Sequence, residues 1–121
     1  MSVLVVDGAN VVGSRPDGWW KDRAGAARRL HEQLMLAAPG YDEVVLVLEG
    51  AAKGGVRAGR DGHVRTVHAG GHGDDTIVAQ TQAAVDQGGR VAVVTADRAL
   101  QARVQHLGAV ALSPGWLLDQ L

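Results

Sequence analysis

Three continuous runs of apolar, mostly β-branched residues constrain this fold more than any other feature. They are Val3–Val6, Val44–Leu48 and Val91–Thr95. Runs without alternating polar residues are typical of strands buried on both faces of a sheet. Two weaker runs, Val64–His68 and Ala109–Leu112, bring the number of predicted strands to five.

Segments with helical spacing follow or separate these strands. The predicted helices begin near Asp22, Asp74, Asp97 and Pro114, and the first ends at Ala38 before Pro39-Gly40. Residues 13–23 and 51–63, rich in glycine and charge, are predicted to be loops. Strands that alternate with helices predict a parallel sheet with helices on both faces. We therefore expect a single α/β domain over residues 1–121.

Composition narrows the class of protein and of metal site. Apolar residues make up 46% of the 121 residues, enough for a packed core, and the formal net charge is −1. There is no cysteine, so any metal must be held by oxygen or imidazole. Asp7 interrupts the first apolar run and no basic residues precede it, which argues against a signal peptide or a membrane span. We expect a cytoplasmic protein.

Acidic residues follow three of the predicted strands and open the middle helix. Asp7 ends the first strand, Glu49 the second, Asp97 comes two residues after the fourth, and Asp74-Asp75 starts the helix. In an open α/β sheet, ligands bind at the carboxyl ends of the strands, where these side chains are predicted to meet. Carboxylates gathered there repel one another unless a cation neutralises them. Mg²⁺ or Mn²⁺ prefers such oxygen ligands and activates water for hydrolysis at phosphorus.

Each acidic residue also has a purely structural interpretation. Asp7 followed by glycine could form a turn, and Asp74 or Asp97 could be a helix N-cap. Asp75 could simply favour the positive end of the helix dipole. Glu49 is harder to explain in this way, because glutamate is uncommon at the end of an apolar strand.

Three blocks of the sequence, VLVVDGANVVG, GDDTIV and VVTADRALQARVQHLGA, resemble the NYN domain and PIN-like nuclease group. The resemblance covers nearly the whole chain in the expected order. It implies a Rossmann-like, three-layer sandwich with strand order 3-2-1-4-5. It also implies a ribonuclease that uses Mg²⁺ or Mn²⁺ to hydrolyse RNA phosphodiesters.

The resemblance also implies roles for particular residues. Asp7, Asp74 and Asp97 match acidic residues expected to be catalytic and to bind metal, and Asn10 would orient a ligand, water or phosphate or would only hold the turn. Glu49 is a less direct candidate ligand, and Asp75 a candidate outer partner of the metal.

RNA would be held by basic residues of the two predicted loops and of the segment that follows the fourth predicted strand. The candidates are Arg15, Lys21, Arg23, Lys53, Arg57, Arg60 and Arg98. Ordinary solvated loop charge is the alternative interpretation. Trp19 and Trp20 could stack on a base, although at least one of them is expected to pack in the core. His63, His68 and His72 lack compact metal-ligand spacing.

Alternative functions remain open at the level of sequence. The chain could be a non-catalytic RNA- or protein-binding module, a toxin-like nuclease controlled by a partner, or an enzyme acting on a small phosphorylated metabolite. Phosphate-loop and dinucleotide fingerprints are absent from the sequence. The apolar C-terminal segment WLLDQL could bury against a second copy in a homodimer.

Overall fold

Each apolar run forms a strand in the computed structural model, which describes residues 1–37 and 39–121. The strands are Val3–Asp7 (β1), Glu43–Leu48 (β2), Gly59–Asp61 (β3), Val64–His68 (β4), Val91–Val94 (β5) and Val110–Leu112 (β6). The helices are Gly8–Gly13 (α1), Arg23–Leu36 (α2), Gly73–Asp86 (α3), Arg98–His106 (α4) and Pro114–Leu118 (α5). Single 3-10 segments lie at Trp19–Lys21 and Gly50–Gly55.

The strands form one sheet in the order β3-β4-β2-β1-β5-β6. All neighbouring pairs are parallel except β3 with β4. The five predicted strands therefore stand in the expected order 3-2-1-4-5, which confirms the Rossmann-like fold. The extra strand β3 lies where a loop was predicted, and it forms a hairpin with β4 through Gly62, whose φ is 58°.

Side chains of the central strands alternate between two buried layers. Leu4 and Val6 face the layer that contains α1, α2 and α5, whereas Val3 and Val5 face α3 and α4. Both layers exclude solvent, which explains why β1 is apolar without alternation. The helices on the two faces make this a three-layer α/β/α sandwich.

Helix α1 occupies a stretch for which no helix was predicted. Its sequence, GANVVG, has low helix propensity, because it combines two β-branched valines with terminal glycines. It forms because Val11 and Val12 are buried in the core. Gly8 allows the close approach of α1 to β2, since a Cβ there would lie 2.6 Å from the carbonyl oxygen of Val47.

The beginning of α2 is pinned to the 3-10 segment Gly50–Gly55, which was predicted to be part of a flexible loop. A side chain on Gly55 would overlap the backbone of Ala24, so glycine is required for this contact. Asp22 caps α2 by accepting from the backbone N–H of Gly25 at 2.8 Å. The predicted helix end, Ala38, lies outside the described residues.

The apolar C-terminal segment packs inside the chain. Leu117 is fully buried, and Trp116, Leu118 and Leu121 pack against the same core as α2. Ser113 caps α5 as expected, accepting from the backbone N–H of Trp116 at 3.1 Å. In the described ranges, no helix combines the length and the apolar character needed to cross a bilayer.

Candidate active site

Asp7 lies at the junction of β1 and α1, and only 6% of its surface is exposed. Its Oδ1 accepts from the backbone N–H of Asn10 at 3.3 Å, and its Oδ2 accepts from the hydroxyl of Thr95 at 2.9 Å. Asp7 thus serves as the N-cap of α1, whereas the structural interpretation made from the sequence was a turn. The same side chain caps the helix and carries the buried carboxylate, so a structural role and a functional role for Asp7 are compatible.

Two further carboxylates lie near Asp7. Glu49 follows β2 and its Oε2 accepts from the backbone N–H of Gly73 at 2.6 Å, which anchors the start of α3. Asp74 lies in the first turn of α3, half-buried, and does not cap the helix, because the N-cap is His72. Across the described chain, neither Asp7, Glu49 nor Asp74 is within salt-bridge distance of a lysine, arginine or histidine.

This arrangement raises the pKa of Asp7 above its ordinary value. Burial is the largest cause, and the negative charges of Asp74 and Glu49 raise the pKa further. The hydrogen bonds from Thr95 and Asn10 oppose the shift without cancelling it. A buried carboxyl group surrounded by like charges and lacking a cationic partner is unfavourable for folding alone, and such groups concentrate at functional sites.

Asp97 and Asn10 lie beside these carboxylates at the carboxyl edge of the sheet. Asp97 caps α4, accepting from the backbone N–H of Leu100 at 3.0 Å. Its own N–H donates to the hydroxyl of Thr95 at 3.2 Å. The side-chain oxygen of Asn10 accepts from the backbone N–H of Ala96 at 3.0 Å, which ties α1 to the loop before Asp97.

Thr95 is a site residue that the sequence reasoning missed. Its hydroxyl joins Asp7 to the backbone of Asp97, and the residue is fully buried. The available signal was a hydroxyl residue at the end of an otherwise apolar run.

Asp75 points away from this cluster. Its side chain is 92% exposed and its Oδ1 lies 3.2 Å from the Arg103 guanidinium on α4. The like charges that raise the pKa of Asp7 are those of Asp74 and Glu49. The structure therefore brings together Asp7, Glu49 and Asp74, with Asp97 beside them through Thr95, and leaves Asp75 on the surface.

The oxygen ligands present here favour a partly hydrated metal ion over an ion enclosed by protein ligands alone. Across residues 1–37 and 39–121, no three acidic or histidine side chains stand close enough to cage an ion among themselves. Mg²⁺ usually keeps several waters and binds one or two carboxylates together with substrate phosphates. An ion of that kind would take its protein ligands from the carboxylate oxygens of Asp7 and Asp74.

The seven basic residues predicted to bind RNA do not all lie at the carboxyl edge of the sheet. Lys21, Arg23, Lys53, Arg57 and Arg98 lie on segments that start at the carboxyl edge of the sheet. Lys53 donates to the carbonyl oxygen of Ala69 at 3.0 Å. Arg15 instead donates to Gln33, three turns along α2. The structure corrects the predicted position of Arg60, which pairs with Glu43 at 2.8 Å near the amino end of β2, because β3 carries the chain back across the sheet.

A cleft of about 440 Å³ opens next to Asp7. Its lining comes from the start of α1, from Trp19 and Arg23, from the segment after β2, and from the loop before α3. The Arg23 guanidinium lies 5.2 Å from the centre of the Trp19 ring. Trp19 packs against the core as expected for one of the pair, whereas Trp20 is 57% exposed.

Comparisons with known proteins support the fold. No family model matches the sequence, and no curated protein matches it either. Among solved structures, the chain is similar to Rae1 (YacP) from Bacillus subtilis, with a TM-score of 0.78 and 23% identity over 98% of this chain and 72% of Rae1. The W164L mutant of Rae1 gives a TM-score of 0.75 and 22% identity over 98% of this chain and 74% of that one. At this identity the similarity extends to the architecture, so the chain shares the Rae1 fold.

Proposed function

We propose that this protein is a ribonuclease that hydrolyses RNA phosphodiester bonds at the Asp7–Asp74 cluster with the help of Mg²⁺ or Mn²⁺. The observation that carries the proposal is the buried carboxyl group of Asp7, which faces two like charges and has no cationic partner among the described residues. The three sequence blocks that resemble NYN and PIN-like nucleases contain Asp7, Asp74 and Asp97, and the Rae1-like fold is consistent with that resemblance.

Within this proposal each residue has a role, and the hydrogen bonds of Thr95 and Asn10 support theirs. Asp7 and Asp74 would hold the ion, which supplies polarisation of the phosphoryl oxygens and activation of water. Thr95 holds the Asp7 carboxylate in place, and Asn10 fixes the loop that carries Asp97. Lys21, Arg23 and Arg98 are the cations that would bind phosphates on either side of the reacting one.

The test is cleavage of a panel of end-labelled RNAs in Mg²⁺, in Mn²⁺ and in EDTA. We expect cleavage by the wild type in either metal and none in EDTA. Asp7→Asn and Asp74→Asn should each lower the rate by at least about 10²-fold, as is typical for loss of a catalytic group. Asp86→Asn, at the far end of α3, is the matched control and should cleave like the wild type.

A second candidate function is a non-catalytic RNA-binding module of the same fold. The lack of a three-ligand cage among the described residues favours it. RNA binding in EDTA, with no cleavage in either metal, would establish this alternative and contradict the nuclease proposal. Full cleavage by Asp7→Asn would exclude the site assignment.

A further inference from the structure

The cleft next to Asp7 is lined by residues that leave space rather than fill it. Five of its lining positions are Gly8, Ala9, Gly50, Ala52 and Gly71, none of which carries a side chain larger than a methyl group. The remaining lining residues are Val12, Trp19, Arg23, Glu49 and His72. Its volume, about 440 Å³, lies in the range of pockets that bind small organic groups.

Two close packing contacts fix the positions of the elements that surround the cleft. Gly8 is pressed against β2, where any side chain would meet the Val47 carbonyl. Gly55 is packed on Ala24, which holds the 3-10 segment against the start of α2. The cleft is therefore a preformed feature of the packing of α1, α2 and β2.

One wall of the cleft has the chemistry that binds flat aromatic rings. Trp19 and Arg23 lie against each other, and RNA-binding proteins stack unpaired bases on aromatic rings and on arginine guanidinium planes. The guanidinium also adds a positive charge beside a site whose other charges are negative. An anionic nucleotide can therefore enter with its ring on this wall.

Glu49 gives the cleft a hydrogen-bond acceptor. Its Oε2 is taken by the backbone N–H of Gly73, while its Oε1 accepts no hydrogen bond from the described residues. A carboxylate oxygen accepts from the exocyclic amino group of a base such as cytosine. Uracil instead presents carbonyl oxygens on both sides of its N3–H. The negative carboxylate repels these oxygens.

We propose that this cleft is a base-binding subsite that takes the nucleobase next to the scissile phosphate and prefers bases that carry an exocyclic amino group. Gly8 directly follows Asp7, so an occupant of the cleft lies beside the carboxylate cluster. Cleavage at the neighbouring phosphate rests on the proposed function, whereas the binding of a base with this preference does not.

The experiment measures binding, separately from cleavage. Fluorescence anisotropy in EDTA follows labelled hexaribonucleotides of cytidine and of uridine, which are both pyrimidines and differ at the base edge. We expect the wild type to bind the cytidine oligomer several-fold more tightly. Trp19→Ala should weaken binding of both oligomers by about tenfold, because stacking on this wall is lost. Trp20→Ala, the adjacent exposed tryptophan, is the matched control and should change affinity less than twofold.

Glu49→Gln provides a test that does not depend on Trp19 and the core packing around it. The glutamine oxygen can keep the hydrogen bond from Gly73, which turns its NH₂ group toward the cleft as a donor. We therefore expect the preference to reverse in favour of the uridine oligomer, which offers a carbonyl acceptor at the same position.

Equal affinity for both oligomers in the wild type, or an unchanged preference in Glu49→Gln, would overturn the subsite. Neither result would touch the nuclease proposal, which is judged by cleavage with Asp7 variants. Conversely, a base preference that reverses as described supports the subsite even if no RNA is cleaved.

Discussion

The hydroxyl of Thr95 donates to Oδ2 of Asp7 at 2.9 Å and accepts from the N–H of Asp97 at 3.2 Å. One buried side chain therefore holds the ends of β1 and β5 in a fixed relation. The acidic residues that follow these two strands are coupled through it rather than merely adjacent.

Thr95→Val should destabilise the protein by about 1–3 kcal/mol, because it leaves the Asp7 carboxylate and the Asp97 N–H without their buried partner. It should also raise the pKa of Asp7 further, since the lost hydrogen bond favours the charged form. Urea unfolding at neutral pH measures the first effect. Thr66→Val is the matched control, because the Thr66 hydroxyl is buried without a partner among the described residues, and its removal should be neutral or stabilising. Equal losses in the two variants would contradict the coupling.

The raised pKa of Asp7 predicts a pH-dependent loss of stability. Between the ordinary carboxyl pKa and the higher pKa in the fold, the native state binds more protons than the unfolded state. The contribution of Asp7 to the free energy of unfolding therefore falls as pH rises through this window and stays lowest above it. Asp7→Asn lacks this contribution, so its advantage over the wild type should grow from acidic to neutral pH. Urea unfolding of both proteins in EDTA across this range measures the difference, and a constant difference would contradict the prediction.

Asn10→Ala should loosen the loop before Asp97 rather than the helix that contains Asn10. The Ala96 N–H loses its acceptor, so its hydrogen exchange should accelerate at least several-fold, and stability should fall by about 1 kcal/mol. Exchange measured by NMR resolves this amide. Asn10→Asp keeps an acceptor oxygen and should retain slow exchange. Unchanged protection in Asn10→Ala would mean that Asn10 does not hold the loop.

Two glycines of α1 should respond in opposite ways to alanine. Gly8→Ala places a methyl group against the Val47 carbonyl and should cost about 1–3 kcal/mol or more. Gly13→Ala meets only Trp19 at an ordinary 3.8 Å and should be neutral or stabilising by up to about 1 kcal/mol. Thermal unfolding of both variants tests the pair, and a Gly8→Ala protein as stable as the wild type would show that α1 can shift away from β2.

The parts of the fold that could be predicted are those in which local pattern and tertiary burial agree. β1, β2 and β5 are buried on both faces, so their apolar runs were sufficient to predict a parallel sheet, whereas the strand order was implied by the resemblance of three sequence blocks to known nucleases. By contrast, α1 and the Gly50–Gly55 segment have glycine-rich sequences without a helical pattern. Their conformations come from contacts with β2 and α2 that lie far away in the sequence.

The candidate site likewise has parts that could be predicted from the sequence and parts that could not. The rule that carboxyl ends of parallel strands meet at one edge correctly placed Glu49 close to Asp7. It could not give side-chain directions, so Asp74 and Asp75 looked alike, although one is near Asp7 and the other pairs with Arg103. Nor could it anticipate that β3 returns the chain to the opposite edge with Arg60.

Asp7 and Asp97 are helix caps as well as candidate site residues, and this combination has an evolutionary consequence. Asparagine caps helices as well as aspartate does, so replacing either residue by asparagine removes a charge while keeping the cap. Aspartate and asparagine codons differ by one nucleotide. A lineage carrying this fold therefore stands one point mutation from a folded chain that has lost a carboxylate of the candidate site, so descendants that keep the architecture without the proposed chemistry should be easy to reach.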